Sequence, residues 1–179
     1  MDRRRGTATA PPIHILVLWR TKRVTLTQRF GVLRLDGTTV TLFDREGVEQ
    51  LSARGEELTA TPVGKTTVRL VGPSDADQHL IVGPHTALVR NAKVKELITR
   101  FDPLVVPPRY LPMSDKKWEK MWRPATNPYT SGMDNMAQAA VWRPVLLQLL
   151  WSCHVAGAGQ GDSPVAGDSP VPGDSPAPG

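Results

Sequence analysis

The sequence contains a single cysteine, Cys153, among its 179 residues. One cysteine cannot form a disulfide within the chain, so a disulfide framework is excluded and a reducing, intracellular compartment is favoured. Long apolar runs are also missing. The run at 13–19 includes a histidine, is followed at once by Arg20 and has no small-residue cleavage site, so no secretory signal is predicted. No run approaches the roughly 18 apolar residues that a membrane-spanning helix needs.

The sequence also lacks the motifs of common catalytic sites. Its four histidines share no metal-ligand spacing. Gly64-Lys65-Thr66 resembles the end of a phosphate-binding loop, but Thr59 stands where that loop requires glycine. No Gly-x-Ser-x-Gly elbow occurs, and Cys153 lies in an apolar segment where a buried, inert thiol is expected. We therefore predict a non-enzymatic protein with no catalytic residues, no metal site and no cofactor.

Positive charge is concentrated near the N-terminus. Residues 1–29 carry seven basic side chains and one acidic side chain, whereas residues 30–101 carry nine of each sign. A basic cluster of this kind suits phosphates or lipid head groups, and a turn that only aids solubility is the alternative. The neutral middle of the chain argues against a basic surface covering the whole domain. The candidate head-group residues are Arg20, Lys22, Arg23 and Arg29.

The clearest structural pattern is a β-hairpin predicted over residues 30–44. Two apolar and β-branched runs flank Asp36-Gly37, a dipeptide that strongly indicates a tight hairpin turn. A turn centred on it would pair Leu35 with Thr38 and Leu33 with Val40, leaving one face apolar and the other mostly polar. That alternation is typical of an antiparallel sheet with one buried side.

Further strands and one helix are predicted around the hairpin. From 86 to 101 the apolar period changes to that of an amphipathic helix, which Asp102-Pro103 should end. Four prolines within 103–113 indicate an extended linker. The other predicted strands are a buried one at 13–19, one around 24–26, and those at 48–52, 58–63, 66–71 and 79–82.

Short helices are predicted within 114–156. The first has Ser114 as its N-cap and an apolar stripe of Trp118, Met121 and Trp122. This stripe either docks on the β-domain or contacts a membrane or a partner protein. A second helical run is broken or restarted at Pro144. Its segment 145–151 is apolar nearly all round and must be buried, either within the chain or in a partner interface. The contact candidates there are Leu146, Leu149 and Leu150.

Both ends of the chain lack hydrophobic periodicity. Residues 1–12 are mostly Arg, Thr, Ala and Pro, and the end of the chain repeats a Gly-Asp-Ser-Pro unit three times. Neither composition can bury a core, so 1–12 and 157–179 are predicted to be disordered.

The order of elements resembles the pleckstrin-homology (PH) superfold, most closely the small bacterial PH-like or GRAM-like domains. The likeness covers 22–102 and is carried by Gly-Val-Leu-Arg-Leu at 31–35, Thr-Val-Thr-Leu-Phe at 39–43 and the helix at 86–101. It implies an α+β domain at 13–102, with a small, mainly antiparallel β-barrel or bent sheet capped by the helix. It also implies binding of phospholipid head groups, peptides or proteins. Phosphoinositide-binding members carry a Lys followed by Arg-x-Arg across the first hairpin, and this chain has no Arg-x-Arg at that place.

Three functional hypotheses follow. The first is a cytoplasmic binding module that associates peripherally with anionic membrane through the basic cluster and the tryptophan helix. The second is a protein-interaction or oligomerisation adaptor that uses the C-terminal apolar helix. The third, nucleic-acid binding, is the least favoured, because the strands lack interleaved aromatic and basic residues.

Overall fold

The computed structural model describes residues 10–21, 28–74, 78–109, 113–123 and 131–159. Within these ranges the protein is α+β and its sheet is antiparallel, which confirms the predicted class. The strands are β1 Ile13–Arg20, β2 Arg29–Asp36, β3 Thr39–Asp44, β4 Glu49–Arg54, β5 Thr59–Val63, β6 Thr67–Val71 and β7 Gln78–Val82. The helices are α1 Ala92–Phe101, α2 Asp115–Trp122 and α3 Ser131–Ala158.

All seven strands belong to one sheet, in the order β4-β3-β2-β1-β7-β6-β5. β1 lies at the centre because it pairs with β2 on one side and with β7 on the other. β4 and β5 are consecutive in the chain, yet they form the two opposite edges. Only the short 3-10 helix Gly55–Glu57 and Leu58 separate them. The sheet is not closed, so the barrel form of the prediction is not confirmed.

The predicted hairpin forms, but its pairing register is wrong by two residues. Leu35 pairs with Val40 instead of Thr38, and Leu33 pairs with Leu42 instead of Val40. The turn is centred one residue later than predicted. Asp36 pairs with Thr39, so Gly37 and Thr38 form the turn, and Gly37 takes a φ of 58°. A shift of two residues keeps every side chain on its predicted face, because side chains alternate with a period of two.

The helix predicted over 86–101 begins later, at Ala92. Residues 86–90 form a 3-10 helix instead, in which no side chain is fully buried and Leu88 is partly buried against the smaller core. The Asn91 side chain then accepts a 3.0 Å hydrogen bond from the N–H of Lys93 and caps α1. The helix ends at Phe101, with Asp102 in the left-handed conformation as its C-cap, as the Asp102-Pro103 pair predicts. The strand predicted around 24–26 lies outside the described residues.

The sheet is covered on both faces. On one face, alternate residues of β1 and β2 pack against α1, and Leu16 and Val32 meet Val94 and Leu97 there. The opposite face carries the larger core, to which β1 gives Ile15, Val17 and Trp19. The residues that α3 adds to this core are Trp142, Val145, Leu146, Leu149, Leu150 and Cys153.

α3 is a single helix of 28 residues that continues through Pro144. A proline inside a helix costs about 3 kcal/mol, because it lacks an N–H and clashes with the preceding turn. Large buried side chains on both sides of Pro144 offset that cost, with Trp142 at 0% exposure and Leu146 also at 0%. The break at Pro144 that the sequence suggests is therefore not present.

Gln138 ties the N-terminal half of α3 to the rest of the fold. Its side chain is buried, and its Oε1 accepts a 2.8 Å hydrogen bond from the N–H of Thr86. Its Nε2 donates to the backbone carbonyl of Met121 in α2. The indole of Trp142 adds a 3.3 Å hydrogen bond to the carbonyl of Val105. These bonds fix α3 against α2 and against the segments that flank α1.

Candidate binding surfaces

A groove lies at the end of the sheet where β2 begins and β3 ends. The β2–β3 register places Gly31 opposite Asp44 and so brings the start of β2 beside the turn after β3. Lys93, in the first turn of α1, completes the wall. The groove has a volume of about 420 Å³. Its lining residues are Gln28, Arg29, Phe30, Asp44, Arg45, Glu46 and Lys93, and we name it the basic groove.

The two carboxylates of the basic groove already have partners. Asp44 accepts hydrogen bonds of 2.8 Å from the N–H of Val48 and from the side-chain amide of Gln50. Glu46 accepts a 2.8 Å hydrogen bond from Nε of Arg45. That bond is the main cause that lowers the pKa of Glu46 below its ordinary value. Glu46 and Arg45 form an ion pair, so their charges largely offset each other.

Arg29 and Lys93 are the other cations of the basic groove. Within the described residues, neither of them forms an ion pair. The guanidinium of Arg29 lies 5.6 Å from the centre of the Trp19 ring. This cation–π contact orients the guanidinium without cancelling its charge. An anionic group entering the groove would meet two cations that form no ion pair among the described residues, next to the carboxylate of Asp44, whose hydrogen-bond donors are neutral.

The structure places two of the four predicted head-group residues. Arg29 lines the basic groove, and Arg20 ends β1, where it pairs with Leu80 of β7 and is half-buried. Lys22 and Arg23 lie outside the described residues.

Arg45 and Lys93 are groove residues that the sequence reasoning missed. They lie 48 positions apart in the chain, in the turn after β3 and in α1. No local spacing links two such residues. Only the strand register and the packing of α1 bring them together, so a sequence signal was available only for Arg29.

The predicted tryptophan stripe faces the interior of the protein. Ser114 caps α2 as predicted, and its side chain accepts from the N–H of Lys117. Trp122 is buried in the larger core, with Trp118 and Met121 half-buried against it. The two indole rings lie 5.7 Å apart between centroids. Docking within the chain, one of the two roles left open for this stripe, is the arrangement observed.

The three predicted leucines of α3 also lie inside the protein. Leu146 is fully buried, and Leu149 and Leu150 are at most 8% exposed. Packing within the chain again is the arrangement observed. A partner that approaches α3 from outside would meet a different set of residues.

The outward side of α3 is apolar along its length. Met133 is 80% exposed, Trp151 is 64% exposed and Val155 is 52% exposed. At 100° per residue these positions fall on one side of the helix, together with smaller residues between them. We call this set the outer stripe. Its members are Met133, Ala137, Ala140, Pro144, Gln148, Trp151 and Val155.

The sequence reasoning missed the outer stripe because it took 145–151 as one uniformly apolar segment. A signal was available, since positions 133, 137, 140, 144, 148, 151 and 155 recur every three or four residues. The same spacing also fits an inward face, so the pattern alone could not say which side is exposed.

Three further features of the described residues concern metal binding, thiol reactivity and membrane insertion. No group of three or more His, Cys, Asp or Glu side chains there is placed to hold a metal ion. Burial raises the pKa of the Cys153 thiol, which keeps it protonated and weakly nucleophilic. No helix among the described residues has the length and hydropathy to cross a membrane.

Two histidines should make stability depend on pH. Burial lowers the pKa of His85 and, with the nearby Arg34 guanidinium, that of His14. The folded state therefore protonates these two histidines less readily than the unfolded chain does. Their contribution to the free energy of unfolding is complete above about pH 6.5 and is lost as the pH falls below that value. We expect a lower melting temperature at pH 5 than at pH 7.5, and a smaller difference for His14→Gln/His85→Gln, measured by calorimetry. An equal pH dependence in both proteins would contradict this assignment.

Comparisons with protein-family models, with curated proteins and with solved structures found no match. The fold and the two surfaces, the basic groove and the outer stripe, are therefore the basis for any functional statement.

Proposed function

We propose that the protein is a non-enzymatic, PH-like binding module that takes an anionic phosphate or lipid head group in the basic groove. The observation that carries this proposal is the pair Arg29 and Lys93, which share one groove of about 420 Å³ and form no ion pair among the described residues. The volume lies within the usual range for small-ligand sites, about 300–1,000 Å³.

The strand order supports the PH-like part of the proposal. The seven antiparallel strands form two meanders, β1–β4 and β5–β7, which are joined by the pairing of β1 with β7, and an amphipathic helix follows the last strand. The resemblance implies this order of elements. An open edge between β4 and β5 is the departure from a barrel.

The connection between β1 and β2 supports the ligand class. Gln28 lines the basic groove, and Arg23 is five positions before it in the chain. Lys22 and Arg23 belong to the same connection in the sequence and lie outside the described residues. Together with Arg29 and Lys93 they make four basic residues, each of which contributes about 1 kcal/mol at an anionic surface. The expected affinity is therefore weak, of the order of millimolar, and sensitive to salt.

Vesicle co-sedimentation tests the proposal. The full chain should bind vesicles that contain phosphatidylserine and should be released as the salt concentration rises. The double variant Arg29→Gln/Lys93→Gln should bind about 30-fold more weakly, because two contributions of about 1 kcal/mol are removed. Soluble inositol hexakisphosphate as a competitor distinguishes a site for free phosphate groups from one that needs a lipid surface.

Lys95→Gln is the matched control, because Lys95 is exposed on the same helix but does not line the basic groove. It should bind almost as well as the wild type. Equal weakening by Lys95→Gln, or equal binding to neutral phosphatidylcholine vesicles, would contradict the groove as the site.

A further inference from the structure

α3 is apolar on both its sides, yet the described residues cover only one of them. The inner side fills the larger core, whereas Met133, Trp151 and Val155 of the outer stripe remain more than half exposed. Soluble domains rarely expose a continuous apolar surface of this kind without an interaction to cover it. The question is what packs on it.

We propose that a second copy of this chain covers the outer stripe, with the two α3 helices packed antiparallel and Pro144 facing Pro144. The stripe positions are arranged symmetrically about Pro144, at four, seven and eleven residues on either side. In this register Trp151 of one copy lies over Ala137 of the other, and Val155 lies over Met133. The bulkiest side chain of the stripe thus meets one of the smallest, which is how side chains interdigitate between packed helices.

The polar groups of the outer stripe complement each other in the same register. Pro144 has no N–H, so the carbonyl of Ala140 loses the hydrogen bond that the helix would otherwise give it. Gln148 carries the only polar side chain among the seven stripe residues. In the antiparallel pair Gln148 of one copy faces Ala140 of the other, where its amide can donate to the carbonyl that Pro144 leaves free. The two-fold axis produces this contact twice, so both groups are satisfied on burial.

The size of the outer stripe suits a weak, reversible dimer. The stripe runs from Met133 to Val155, about 33 Å along the helix, and a helix is about 12 Å wide with its side chains. It therefore offers about 400 Å² per copy, or about 800 Å² for the pair, which is the size of a weak or transient interface.

The charges of α3 favour a second copy over a membrane surface. A helix lying on anionic lipid carries lysines or arginines beside its apolar face. α3 has one such residue, Arg143, whose guanidinium donates to the carbonyl of Gly64, and it also carries Asp134. The outer stripe contains no charged residue, so packing the stripes of two copies against each other buries no unpaired ion.

The oligomeric state of the full chain tests the proposal. Sedimentation velocity between 5 and 200 µM should show a dimer. Trp151→Glu and Val155→Glu should each weaken dimerisation at least 100-fold while leaving the circular dichroism spectrum unchanged, since both side chains are exposed. The matched control is Ala156→Glu, an exposed position on the same helix that points away from the stripe, and it should remain dimeric.

Spin labels test the register. In the antiparallel pair, labels at Met133→Cys lie about 33 Å apart along the helix axis, against about 10 Å in a parallel pair. Cys153, which is 5% exposed, is replaced by alanine for this measurement. The proposed interface is wrong if the protein is a monomer at 200 µM. It is also wrong if Trp151→Glu dimerises as well as Ala156→Glu does. A short distance between labels at 133 overturns the antiparallel register.

Discussion

A chain that ends at Asp102 should not fold, although it contains every strand of the sheet. Ending the chain there removes six large apolar side chains from the core: Trp122, Trp142, Val145, Leu146, Leu149 and Leu150. Each buried side chain of this size contributes about 1.5–3 kcal/mol, so together they contribute about 10 kcal/mol. A whole domain is stable by only about 5–15 kcal/mol. We expect the fragment to show no cooperative thermal transition and to bind the dye ANS, which reports exposed apolar surface.

A chain that ends at Gly159 is the matched control for this truncation. It loses the repeat segment but keeps α3 and every core residue of the described structure, so we expect its melting temperature to equal that of the full chain. A cooperative transition in the fragment that ends at Asp102 would contradict the view that α3 completes the β-domain.

Gly55→Ala should destabilise the protein by about 1–3 kcal/mol, because it forces α3 away from the sheet edge. A Cβ atom at Gly55 would lie 2.4 Å from the backbone carbonyl carbon of Cys153 and 2.7 Å from the N of His154. These are main-chain atoms of a helix, which cannot yield as a flexible side chain does. The expected loss in melting temperature is about 3–10 °C, measured by calorimetry.

Gly132→Ala separates this clash from the general effect of replacing a glycine. Gly132 lies in the first turn of α3, and a Cβ there would have no neighbour within 4 Å. Alanine is also the better helix former by up to about 1 kcal/mol. We expect Gly132→Ala to be neutral or stabilising. If Gly55→Ala behaved in the same way, the close contact between α3 and the chain at Gly55 would be disproved.

The sheet was largely predictable because its information is local. The alternation around Asp36-Gly37 indicated the hairpin and assigned the correct face to Leu33 and Leu35. The alternation does not determine the pairing register, because two registers that differ by two residues bury the same side chains. Only the geometry of the turn decides between them. The order of β5–β7 next to β1 has no comparable local signal.

The helices were less predictable because packing decides their ends and their exposure. Periodicity over 86–101 did not reveal that α1 starts at Ala92, because the residues before it form a 3-10 helix in which no side chain is fully buried. Pro144 predicted an interruption, yet the side chains buried on both sides of it keep α3 continuous. Intrinsic propensity was overridden by tertiary contacts at this point.

The surfaces were the least predictable, because they join residues that are distant in the chain. Arg29 was predicted from its place in a basic cluster, whereas Lys93 enters the basic groove only through the docking of α1. The outer stripe is visible only once the inner side of α3 is known to be covered by the sheet.

The central position of β1 has a consequence for how the chain is made. β1 is the first strand to be synthesised, but Leu18 pairs with Val82, and Leu16 donates its N–H to the carbonyl of Leu104. Its core side is covered only when Trp142 and Leu149 arrive, about 130 residues later. At a translation rate of about 5–20 residues per second, a nascent chain exposes this apolar strand for roughly ten seconds. A topology with such high contact order also folds slowly, so chaperone binding during synthesis should matter more here than for a helical protein of similar size.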